Sequence, residues 1–125
     1  MIKSKPSMTH YEICLWCKKS KCGKHTLEKI LNELPDVIGT KKFGGPYLDA
    51  FLKKSQHSSI PYTGSVTISE STIQVHTYPN KRGCFCIYNI FSCGEKADPR
   101  KVVPYLLRIL NPKIMEAYFL EKVEK

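Results

Sequence analysis

The chain has 125 residues, a formal net charge of +9 and a hydrophobic fraction of 42%. That length supports one domain spanning residues 1–125 rather than two, and the apolar content is that of a globular core. The sequence contains no apolar run of the ~20 residues needed to cross a bilayer. The opening "MIKSKPSMTH" carries charge without an apolar stretch, so a cytoplasmic protein is expected and a membrane-bound one is not.

In chain order, "HYEICLWC" (10–17) is rich in β-formers and predicts a strand, and "KKSKCGK" (18–24) a polar connection. Thr26 can cap a helix in which Leu27, Ile30, Leu31 and Leu34 recur at helical spacing, with Pro35 as its stop. "DVIGT" (36–40) suggests a short strand, "FGGP" (43–46) a turn, and "YLDAFLKK" (47–54) either a strand or a short helix. A loop (55–64) precedes strands at 65–69 and 72–78, a turn at 79–83, and "CFCIYNIFSC" (84–93). Both faces of that last strand are largely apolar, so both need cover. Helices on one side leave the other for a second sheet.

Asp98 and Pro99 suit an N-cap and first helical position. Val102 or Val103, Leu106, Leu107 and Leu110 would form the buried stripe, while Pro104 should kink the first turn or delay the start. Residues 113–123 predict a final strand. The order implies an α+β fold, a two-layer sandwich of an antiparallel sheet with helices on one face.

One stretch breaks the pattern. Val66 and Ile68 are the apolar members upstream, Ile73 and Val75 downstream, so the parity changes within 69–72. In a strand a parity change flips the face, so the backbone must bulge, turn or break there.

The lysines are spread along the chain, with local clusters only at 18–24 and 41–43 and no nucleic-acid-binding motif. A solvated basic surface is the expectation and a nucleic-acid partner is not. Six cysteines without a secretion signal point to thiols rather than disulfides. Four of Cys14, Cys17, Cys22, Cys84 and Cys86 could build a zinc site. No second C-x-x-C follows, however, and Cys14 and Cys17 fall on opposite faces of a strand. Small apolar strand residues are the favoured reading of Cys14, Cys84 and Cys86, and no metal is expected.

From Thr63 to Lys113 the chain resembles the prokaryotic S-adenosylmethionine decarboxylase family, through "ISES" (68–71), "HTYP" (76–79), "FSCG" (91–94) and "DP" (98–99). The resemblance implies a self-cleaving proenzyme. The Ser71 hydroxyl would attack the carbonyl of Glu70, converting amide to ester. Elimination and hydrolysis would then leave a β chain (1–70) and an α chain (71–125) headed by a covalent pyruvoyl group. That group would form a Schiff base with the substrate amine.

The resemblance assigns His76 as the processing base, Cys93 as the proton donor and Thr63, where the family usually has serine, as processing support. Asn80 stands where a glutamate usually binds substrate, and His57 is nearest in register to an adenine-stacking aromatic. Five residues of extended strand span about 16 Å, so His76 should serve Ser71 of a second protomer in a homodimer formed through sheet faces. Decarboxylation of ornithine or arginine, and a non-catalytic basic module, are the alternatives.

Overall fold

The structure, a computed structural model, describes residues 8–50, 60–69, 71–93 and 97–119, apart from the side chains of Met8, Thr9 and Cys93. Six strands, β1 (Met8–Cys17), β2 (Lys42–Ala50), β3 (Tyr62–Ile68), β4 (Ser71–Asn80), β5 (Gly83–Cys93) and β6 (Ile114–Phe119), form one sheet in the order β2-β3-β4-β5-β1-β6. Every neighbouring pair is antiparallel. Two helices, α1 (Lys24–Ile38) and α2 (Val102–Leu110), complete the fold.

Alternation decides which face is buried. Tyr11, Ile13, Leu15 and Cys17 of β1, Val66 and Ile68 of β3, Ile73 and Val75 of β4, and Cys84, Cys86, Tyr88 and Ile90 of β5 join one core with the buried residues of both helices. Burying a side chain such as Ile73 or Leu27 contributes about 1.5–3 kcal/mol. This is the expected α+β sandwich with helices on one face.

The helix boundaries differ from expectation. Gly23, not Thr26, occupies the N-cap of α1, and Pro35 lies inside it. Pro35 has no amide for the Leu31 carbonyl. The helix nevertheless continues to Ile38, because Pro35 and Ile38 are both buried in the core-facing stripe with Leu27, Ile30, Leu31 and Leu34. Residues 36–38, expected in a strand, are thus its last turn. Gly39 (φ 88°) ends it in the left-handed conformation, with the Thr40 amide donating to the Pro35 carbonyl at 2.9 Å.

The expected turn "FGGP" lies within β2, whose pairing with β3 shifts register between Lys42 and Gly44 and again between Gly44 and Tyr47. The irregularity absorbs the turn-forming residues without reversing the chain. Gly45 (φ 93°) is required here, since a Cβ would lie 3.0 Å from the Ser65 carbonyl oxygen. The strand reading of 47–54 holds for 47–50, and 51–54 lie outside the described residues. β3 opens at Tyr62, inside the expected loop.

Asp98 caps as expected, its Oδ1 accepting from the Arg100 amide at 3.1 Å, but it caps a short 3-10 turn, Pro99–Lys101. α2 proper begins at Val102, so Pro104 falls in its first turn, where the missing amide costs little. Val102, Tyr105, Leu106 and Leu110 form the buried stripe. Leu107, expected there, is 47% exposed. At five residues past Val102 it sits about 140° around the helix.

Candidate active site

Ile68 pairs with Ser71, so only residues 69 and 70 separate β3 from β4. The parity change is therefore a two-residue chain reversal, and Ser71 is the first residue after it. Glu70 lies outside the described residues. From Ser71 onward β4 is laddered to β3 through His76 and to β5 through Asn80. Pairing on both edges keeps the strand regular.

His76 and Thr63 are direct partners across the β3–β4 ladder. Thr63 Oγ1 lies 3.2 Å from His76 Nδ1, and both residues are half-buried. They occupy the sheet face away from the helices, because Val75 and Thr77 on either side of His76 point into the core side. Ser71 has the opposite parity to His76 and lies about 16 Å along the same strand. Within one chain the two do not meet.

Cys93 ends β5. The ladder that pairs Thr72 with Phe91 carries the end of β5 alongside the beginning of β4, so the Cys93 backbone lies at the Ser71 end of the sheet. Asn80 is at the other end of β4, about 30 Å from Ser71. Its Oδ1 accepts from the Arg82 amide at 2.8 Å, which shapes the β4–β5 turn. A cavity of about 650 Å³ opens beside it, lined by Trp16, Cys17, Asn80, Ile114 and the cations Lys81, Arg82 and Lys113. No local signal in the sequence marks this cavity, because its walls come from segments distant in sequence. His57 lies outside the described residues.

The face that carries Thr63 and His76 is bare of helices yet rich in rings. Trp16 and Phe85 lie 5.5 Å apart by ring centroid, Tyr78 and Phe85 6.1 Å, and His10 stacks on Phe91 at 4.2 Å. His10 Nε2 is also 3.1 Å from Asn89 Oδ1. Among the described residues no element of the chain covers this face. No described helix is long and apolar enough to cross a membrane.

The fold has a solved counterpart. The crystal structure of the adenosylmethionine decarboxylase from Aquifex aeolicus is similar with a TM-score of 0.75, over 98% of this chain and 97% of that one, at 19% identity. At that identity the likeness establishes the architecture: a helix-covered antiparallel sheet of the kind found in that decarboxylase.

Sequence comparison goes further. The profile of the S-adenosylmethionine decarboxylase family matches residues 16–122. An S-adenosylmethionine decarboxylase proenzyme of Pyrococcus abyssi is 44% identical over 95 residues, covering 68% of this chain and 67% of that one. One of Pyrococcus furiosus is 41% identical over 56 residues, a match spanning 45% of this chain and 39% of that one. The chain belongs to the S-adenosylmethionine decarboxylase family, whose members are pyruvoyl-dependent decarboxylases of the lyase class.

Proposed function

We propose that the chain is a self-cleaving proenzyme that decarboxylates S-adenosylmethionine, providing the aminopropyl donor for polyamines such as spermidine. The observation that carries this reading is the position of Ser71. It opens β4 immediately after the two-residue reversal, at the end of the sheet where β5 delivers Cys93. Cleavage between Glu70 and Ser71 severs only the β3–β4 connection. Residues 1–70 keep β1, α1, β2 and β3, and residues 71–125 keep β4, β5, α2 and β6. Because β1 lies between β5 and β6, the two products remain interleaved in one sheet.

Ser71 therefore suits a pyruvoyl precursor: its nitrogen can be lost and a new chain end created without dismantling the fold. A pyruvoyl group there supplies a carbonyl that binds the substrate amine and accepts the electrons released with carbon dioxide. His76 acts as the base in processing. Thr63 engages its Nδ1, which leaves Nε2 as the nitrogen open to take the proton. The Cys93 thiol returns a proton to the substrate carbon. Asn80 contacts the substrate's hydroxyl groups and His57 its adenine.

His76 reaches Ser71 from a second protomer. The bare, ring-bearing face is the surface through which two sheets pack in a homodimer with shared sites, an arrangement in which each face gains the cover its apolar residues lack. A cytoplasmic setting keeps the thiols reduced.

The test is carbon dioxide release from carboxyl-labelled S-adenosylmethionine, ornithine and arginine. Release from S-adenosylmethionine supports the reading. Turnover of only ornithine or arginine, or of none, overturns it. In the same assay Cys93→Ala should retain chain cleavage while losing turnover.

A further inference from the structure

Four cysteines gather on the helix side of the sheet, at the opposite end from Ser71. Cys17, the last residue of β1, faces Cys84 directly across the β1–β5 ladder. Cys86, two residues along β5, points to the same face. The short 3-10 turn Lys19–Lys21 then folds Cys22 back over them. Cys22 Sγ lies 3.5 Å from Cys17 Sγ and 3.4 Å from Cys86 Sγ, and Cys86 Sγ lies 3.8 Å from Cys84 Sγ. Cys17, Cys22, Cys84 and Cys86 are all buried, at 3%, 5%, 0% and 1% exposure.

These separations discriminate between chemistries. A disulfide needs sulfurs about 2.05 Å apart, so the four are thiols in contact. A tetrahedral zinc ion with Zn–S bonds of about 2.3 Å holds its sulfurs about 3.8 Å apart, close to the spacing seen. The Sγ atoms of Cys17, Cys22 and Cys86 all lie within 4.8 Å of one another, three corners of such a tetrahedron. Cys84 Sγ, 3.8 Å from Cys86 Sγ, is the nearest further sulfur to supply the fourth. An all-sulfur, fully enclosed donor set selects zinc in a closed structural site.

We propose that Cys17, Cys22, Cys84 and Cys86 bind one structural zinc ion that clasps the end of β1 to β5.

The surroundings fit. Zinc with four thiolates carries a double negative charge, and the connection that bears Cys22 contributes Lys18, Lys19, Lys21 and Lys24. Without an ion the thiols have chiefly each other as partners. Cys17 also lines the cavity at this end of the sheet. Cys14, on the opposite face, takes no part.

The ligand set has a consequence that rests on the proposed cleavage at Ser71. Cys17 and Cys22 lie in residues 1–70, Cys84 and Cys86 in residues 71–125. Zinc would therefore join the two product chains, two ligands from each, after the peptide between them is gone.

The experiment measures zinc per chain in the intact protein by plasma mass spectrometry, and the absorption spectrum after cobalt replaces zinc. The uncleavable Ser71→Ala chain is measured alongside, so the metal site is judged whether or not cleavage occurs. About one zinc per chain is expected in the wild type, Ser71→Ala and Cys14→Ser, falling at least ~10-fold in Cys22→Ser and Cys86→Ser. Cobalt should show the sulfur-to-metal charge transfer and intense visible bands of a tetrahedral thiolate site. If the serine variants fail to fold, the wild-type cobalt spectrum decides alone. Wild-type protein that lacks zinc and gives no such spectrum overturns the proposal, as does a spectrum that survives Cys22→Ser unchanged.

Discussion

Thr63 and His76 face one another across the β3–β4 ladder, with the threonine oxygen 3.2 Å from the Nδ1 of the imidazole. The hydroxyl at position 63 thereby holds the ring and engages its Nδ1, leaving Nε2 without that partner. A half-buried imidazole bonded at one nitrogen presents the other to a reacting group.

Thr63→Val removes that oxygen while keeping the shape. A lost hydrogen bond of about 1 kcal/mol should slow chain cleavage roughly fivefold, whereas Thr63→Ser should cleave as fast as the parent or faster. The time course of intact and cleaved chain on denaturing gels reads both. Equal rates in Thr63→Val and the parent would remove Thr63 from processing.

The separation of Ser71 from His76 along a regular strand yields a complementation test. His76→Ala alone and Ser71→Ala alone should both stay uncleaved. Coexpressed, they should form mixed dimers in which the His76→Ala chain is cut by the intact histidine of its partner. If mixed dimers form and no chain is cut, the shared site is wrong.

Gly64, beside Thr63, packs beneath α1. An added Cβ would collide with Leu48 and lie 3.0 Å from Leu31 Cδ1 and 3.2 Å from Val75 Cγ1. Gly64→Ala should therefore destabilise by about 1–3 kcal/mol in denaturant titrations. A neutral effect would mean that α1 packs less closely on β3 than described.

Tyr105 donates a hydrogen bond to Glu33 Oε2 at 2.6 Å, joining α2 to α1. Its burial, and then that carboxylate, push its pKa above the ordinary value, while Arg108 opposes them. A tyrosine with a raised folded pKa contributes stability that is complete below its unfolded value of about 10 and declines as pH rises past it. Melting temperature should accordingly fall above about pH 10, and Tyr105→Phe should flatten that fall while costing about 1 kcal/mol at neutral pH. An unchanged alkaline slope in Tyr105→Phe would refute the assignment.

Local pattern carried much of the fold. Alternation in 84–93 located β5 and both its faces, and the parity change at 69–72 located the reversal next to Ser71. Rules of thumb failed where packing outweighed them. Pro35 does not stop α1, because the burial of Ile38 sustains another turn. Leu107 faces outward because the buried side of α2 runs through Val102, Tyr105, Leu106 and Leu110, and Leu107 lies about 140° round from Val102. Long-range register was invisible. Nothing local pairs Thr63 with His76, and nothing local brings Cys17 and Cys22 against Cys84 and Cys86. The motif residues stood out through family likeness. Their roles were not written in periodicity.

Whether the bond between Glu70 and Ser71 breaks decides the rest of the enzymology. Intact mass spectrometry of the freshly purified, folded protein measures this directly. Two chains are predicted, residues 1–70 and residues 71–125, the second lacking a free amino terminus and showing the mass of a pyruvoyl group in place of serine. A single unbroken chain that persists in the assembled protein would contradict self-cleavage and the pyruvoyl chemistry with it.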